Sequence, residues 1–178
     1  MPLSRVPAGE LRRVVVPVLV VWAVAWLPFL LIGEPNEMVR LQLAGSVSKA
    51  REIVAGWSQA EVVDMAVLVG VDGVHLLAYG TLLAAGAVWA GRQLRGGAAR
   101  WAPPFAWVAF AAATFDIVEN AGLIVMTRGE IRSPVPAMTT AFSLAKYFSA
   151  LLVVSFVVTG VLARLRSPTT QGGTRGAA

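Results

Sequence analysis

Five ionisable side chains stand inside long apolar runs of this sequence: Asp72 and His75 in one, Asp116 and Glu119 in a second, Lys146 in a third. A charged group near the centre of a bilayer costs about 2.5–3.5 kcal/mol on insertion scales, so such residues are read first as functional. Their spacing sorts them onto faces. Asp72, His75 and Tyr79 follow i, i+3, i+7, and Asp116, Glu119 and Asn120 follow i, i+3, i+4, so on a helix each set shares one side. Thr139, Ser143, Lys146 and Ala150 form a third stripe. With His75 neutral, three carboxyls against one ammonium leave a formal charge of −2. A low-dielectric site does not keep that charge bare. Carboxyls hold protons, His75 is charged, or a cation is bound, and each alternative belongs to acid–base, proton-transfer or ion-binding chemistry.

The leading expectation is a small membrane enzyme doing acid–base chemistry of isomerase, cyclase or hydrolase type on a lipid or isoprenoid-like substrate. Asp116 and Glu119 would serve as general acid and base in either order. His75 would be a proton partner, Asp72 its orienter, and Lys146 would hold one carboxylate ionised. Asn120 and Ser143 would hydrogen-bond the substrate, and Tyr79 and Tyr147 would stabilise a carbocation through their ring faces. The setting is similar to that of membrane sterol isomerases and membrane terpene cyclases, a similarity of architecture that carries no residue role. Three other readings compete. A proton- or cation-coupled carrier would need a homodimer, since four helices leave little room for a pathway. A divalent metal could take Asp72, His75, Asp116 and Glu119 as ligands, but Lys146 sits awkwardly beside a cation, and no cofactor is required by the sequence. An accessory or scaffold subunit would use the same charges only to fix helix register.

The elements that position these residues are legible as an all-α, four-transmembrane-helix bundle. Residues 14–33 form an uninterrupted apolar run long enough to cross the hydrocarbon core. Three basic residues precede it, but its exit, Leu31-Ile32-Gly33-Glu34-Pro35, has no small-x-small cleavage site, so it reads as an uncleaved span kinked near Pro28. Further spans are expected over about 65–90, 105–126 and 137–163. The second is preceded by the capping-box pattern Ser58-x-x-Glu61, and the third is entered through Pro103-Pro104. In the first long loop, Leu43, Val47, Ala50, Val54 and Trp57 recur at helical spacing, predicting an amphipathic helix over about 38–57 on the outer face. Residues 1–13 read as a cytoplasmic segment, 14–164 as the membrane domain and 165–178 as a disordered tail.

Depth and packing tie these spans together. At about 1.5 Å per residue, Asp72, His75, Glu119 and Lys146 fall about 4–8 Å outward of their helix midpoints and Asp116 near its own, so three helices of alternating direction share one polar layer. Ala109, Ala112 and Ala113 accompany Asp116, and Gly73, Gly80, Ala84 and Ala87 make a small-residue stripe beside Asp72 and His75. Such residues let membrane helices approach closely.

The chain has 178 residues, of which 57% are hydrophobic and 14% charged, far from the balance of a soluble domain. Cysteine is absent, which excludes disulfides, zinc thiolates and iron–sulfur clusters, and a single histidine excludes bis-histidine haem ligation. The net charge of +5 divides unequally. The N-terminal segment, the 92–100 loop and the C-terminal tail hold nine basic residues and one acid, whereas the two opposite loops hold five and six. That bias predicts cytoplasmic termini and removes nucleic acid as the reason for the high pI. Thirteen Arg against two Lys, with abundant Ala, Gly and Val, suggests a GC-rich bacterial genome and hence the inner membrane. Membrane lipids are the expected surroundings, and homo-oligomers are compatible. No phosphate loop, nucleophile elbow or internal repeat is present.

Overall fold

Long apolar segments can satisfy their backbone polar groups internally only as helices, and helices are what form among the described residues. The computed structural model describes residues 8–32 and 35–166, with no strand among them. The order is α1 (Ala8–Ala25), α2 (Leu27–Ile32), α3 (Pro35–Gln42), α4 (Val47–Ala55), α5 (Gln59–Gln93), a 3-10 turn (Gly96–Trp101), α6 (Ala102–Thr127) and α7 (Val135–Arg166). Four stretches are long and apolar enough to cross a membrane: Glu10–Ile32, Gln59–Gln93, Gly96–Thr127 and Val135–Arg166. Most of the first segment, Gly33 at the end of the first run and nearly all of the expected tail lie outside the described residues.

Local chemistry accounts for the breaks. Pro28 has no N–H to donate, and its ring would meet the carbonyl of Val24 in a continuous helix. The chain therefore parts at Trp26, whose N–H reaches Ala23 O at 3.3 Å in a tighter turn. Pro17 is absorbed within α1. At the start of α5 the capping box is complete: Ser58 Oγ accepts from Glu61 N–H, and the Glu61 carboxylate accepts from Ser58 N–H. Those bonds, from the Ser58 hydroxyl first and its backbone N–H second, hold Glu61 below the usual carboxylate range.

The single helix expected over 38–57 is corrected to two. Gly45 adopts φ +68, the left-handed region that a helix excludes and glycine tolerates, and Ser46 then caps α4 by accepting from Lys49 N–H at 3.3 Å. The apolar periodicity simply ran across this turn. Leu43, expected on the apolar side of that helix, is exposed, while Leu41, Ala50 and Ile53 are buried. Trp57 Nε1–H bonds Glu37 at 3.2 Å, and Arg40 pairs with the same carboxylate. The Arg40 hydrogen bond, then that from Trp57, holds Glu37 below its usual range.

The four long helices do not pack as equals. Helices α5, α6 and α7 contact one another extensively, while α1 lies chiefly against α5. Small residues set the approaches. A Cβ at Gly160 would lie 2.5 Å from Ala90 Cβ, and one at Gly80 would lie 3.0 Å from Ala113 Cβ. Gly73 departs from the expected stripe, because it faces open space. Two apolar clusters result. One gathers Met65, Leu68, Leu123 and Met126 with α3 and α4; the other gathers Ala87, Ala106, Val153 and Phe156 at the opposite end. Polar side chains fill the layer between them. The outer faces carry exposed Leu77, Trp107, Phe148 and Leu151, more apolar surface than water tolerates on a monomer.

Candidate functional site

Three helices converge on the carboxylate of Asp116. Lys146 Nζ on α7 donates to Asp116 Oδ1 at 3.0 Å, and the Tyr79 hydroxyl on α5 donates to Oδ2 at 2.8 Å. The same ammonium lies 2.9 Å from Glu119 Oε1 and 2.8 Å from Oε2. Asp116 and Glu119 sit one helical turn apart on the face that α6 turns toward α7, which is how one lysine reaches both. Their exposures are 2% and 0%, so this ion triad is desolvated. Asn120, also on that face, donates from Nδ2 to Asp72 Oδ2 at 2.8 Å and ties α6 back to α5. Close approach beneath it is enforced by Gly122, where a Cβ would lie 2.0 Å from Thr139 Oγ1.

A cavity of about 290 Å³ opens against this network. Its polar end is formed by Asp72, His75, Tyr79, Asp116 and Lys146. Trp26 and Phe29 wall it from the α1–α2 break, and Met38, Val39 and Gln42 of α3 roof it. Of its lining residues, Trp26, Val39 and Tyr147 are exposed, so the cavity reaches the surface among aromatic and aliphatic side chains. The roof is fastened to α7: Tyr147 O–H donates to Gln42 Oε1 at 2.8 Å, Thr140 O–H to Gln42 O at 2.8 Å, and Gly45 N–H to Thr140 Oγ1 at 2.9 Å. Lys146 Nζ also stands 4.9 Å from the centroid of the Tyr147 ring.

The pairing expected between Asp72 and His75 is not made. Asp72 does not orient His75, because the Asp72 carboxylate reaches across to Asn120 while the imidazole turns toward the aromatic residues of α1 and α2. The rings of Trp26, Tyr79, Trp22 and Phe29 lie 5.1, 5.6, 5.8 and 6.1 Å from it, centroid to centroid. Its Nδ1 is buried with no hydrogen-bond partner among the described residues.

Glu119, Asn120 and Ser143 do not line the cavity. They stand behind its wall, and Ser143 donates its hydroxyl to Thr139 O at 2.9 Å within its own helix. Asn120 and Ser143, expected to hydrogen-bond a substrate, are instead bonded to Asp72 and to the α7 backbone. The four-ligand metal set of Asp72, His75, Asp116 and Glu119 is also not assembled. No three His, Asp or Glu among the described residues come together as a metal site, and the Lys146 ammonium occupies the space between the two α6 carboxylates. Sequence reasoning missed Gln42 and the aromatic surround of His75. The i, i+4 spacing of Trp22 and Trp26 is the signal that could have found the second. Gln42 had no such signal, since its bond to α7 spans 105 positions. Comparisons with protein-family models, with curated proteins and with solved structures find no match to this chain.

Proposed function

We propose that this chain is an integral membrane enzyme that moves protons on a lipophilic substrate admitted sideways from the bilayer. Its termini and the 92–100 loop would lie in the cytoplasm of a bacterial cell, with α3 and α4 on the outer side of the inner membrane; the partition of Lys and Arg supports that orientation. One observation supports the catalytic reading: the cavity meets a buried acid–base network and is otherwise walled mainly by Trp26, Phe29, Met38, Val39 and Ala150, with Gln42 and Tyr147 as its remaining polar lining. A site serving only helix register needs no such space.

Within this reading the acid–base pair passes from Asp116 and Glu119 to Asp72 and His75, the cavity-lining carboxyl and imidazole that Lys146 does not bind. One supplies a proton to the substrate and the other removes one, the balance an isomerisation requires. Asp116 and Glu119, held by Lys146, fix the charge of the surroundings, and Tyr79 links that charge to the cavity.

Mass spectrometry of lipophilic molecules retained by the purified protein tests this. Wild type is expected to retain a compound that Ala150→Phe, which places a ring at a lining position of the cavity, excludes, while Asp72→Asn retains it and loses conversion by a factor of about 10²–10⁴. Identical profiles in all three folded proteins would contradict a substrate site and leave the network a structural role.

A further inference from the structure

A second cavity, of about 340 Å³, lies at the other end of the molecule between α1 and α5. It is lined by Leu11, Val15, Leu82, Ala85 and Gly86, with Trp89 and two arginines, Arg12 and Arg92. These cations come from helices far apart in sequence yet border one groove. The chemistry is divided: guanidinium groups at one end, aliphatic wall along the rest. The whole end is basic, since α1 begins there with Arg12 and Arg13, α5 ends there beside Arg92 and Arg95, and α7 ends there with Arg164 and Arg166. Among the described residues of those termini, Glu10 is the single acid.

We infer that this groove is a binding site for one anionic phospholipid, its phosphate held by Arg12 and Arg92 and an acyl chain lying along Leu11, Val15, Leu82 and Ala85. Charge complementarity selects the occupant. Guanidinium matches phosphate oxygens in forked geometry, and the tryptophan indole suits the boundary between headgroup and hydrocarbon. A soluble phosphate would leave the apolar wall without a partner. The site is apart from the catalytic cavity and rests only on the membrane-inserted half of the reading above. An occupant would wedge α1 against α5, the contact on which α1 chiefly depends.

The test is native mass spectrometry of the full chain, extracted from membranes into detergent and offered phosphatidylglycerol or phosphatidylcholine at equal concentration. Recovery from the membrane fraction checks insertion separately. Wild type is expected to retain phosphatidylglycerol at least tenfold better. The Arg12→Gln/Arg92→Gln pair is expected to lose that preference, while Arg95→Gln/Arg100→Gln, which removes equal charge outside the groove, keeps it. Ala85→Phe, with both arginines intact, is expected to lose retention by blocking the wall. Equal loss in both arginine pairs would overturn the proposal in favour of general surface charge. Competition by millimolar inorganic phosphate would overturn the lipid as occupant, and unchanged retention in Ala85→Phe would overturn the groove.

Discussion

Replacing Lys146 by methionine keeps the bulk of the side chain and removes the one cation that holds two buried carboxylates. Its Nζ lies 3.0 Å from Asp116 and 2.8 Å from Glu119, and side-chain exposures are 10%, 3% and 0% for the lysine and the two acids. At an effective dielectric of 20 each contact is worth about 6 kcal/mol of gross attraction. Desolvation of three charged groups offsets most of that, but the loss on removing one partner is not the small net figure. Two carboxylates one helical turn apart would remain buried, unpaired and mutually repulsive, and breaking such a pair costs about 3–5 kcal/mol. The variant Lys146→Met is therefore expected to fall by about 3–5 kcal/mol in equilibrium unfolding in mixed micelles. The triple variant Lys146→Met/Asp116→Asn/Glu119→Gln strands no charge, and it is expected to recover that loss or exceed wild type by about 1–4 kcal/mol. Stability of Lys146→Met within about 1 kcal/mol of wild type, or a triple variant as weak as the single one, would refute a desolvated ion triad.

Four further outcomes are expected. Gly160→Ala drives a methyl onto the Ala90 backbone, 2.6 Å from its Cα, and is expected to lose about 1–3 kcal/mol in the same unfolding assay. Gly97→Ala, which meets nothing within 4 Å, stays near wild type. Tyr147→Phe removes one of the two bonds from α7 to Gln42 and leaves that of Thr140, so amides of α3 exchange faster by mass-detected hydrogen exchange, consistent with about 0.5–1.5 kcal/mol; unchanged exchange would mean the Thr140 bonds hold the roof alone. The Glu61 carboxyl, followed by carbon NMR, is expected to titrate below its ordinary 4.5 and to return toward it in Ser58→Ala. Because its folded value is depressed, its contribution to the α5 start is present above that ordinary value and is lost as pH falls through the folded one.

Much of this architecture could be read in advance because the length and apolarity of its runs write it plainly. Apolar runs of fixed minimum length announced the long helices, Ser58 and Glu61 announced the start of α5, and Pro28 announced the break now found at Trp26. Periodicity alone assigned Asp72, Tyr79, Asp116, Glu119 and Lys146 to faces that do meet. It could not say which partner each would choose. Asp72 and His75 share a face of α5, yet one bonds across to α6 and the other turns toward α1 and α2. The cavity was equally out of reach, since it arises from where α2 and α3 come to rest. Gly45 split the amphipathic loop helix because a single positive φ interrupts a pattern that hydrophobicity continues through.

Proton exchange with solvent water tests the central claim most directly. Membranes containing the wild-type protein, incubated in D2O, are expected to place deuterium at a carbon of one lipophilic compound. Asp72→Asn and Ala150→Phe, folded to the same extent, are expected to abolish that label, the first by removing a proton-bearing group and the second by placing a ring at a lining position of the cavity. Label that is equal in membranes lacking the protein, or that persists in both variants, would contradict acid–base chemistry at this site.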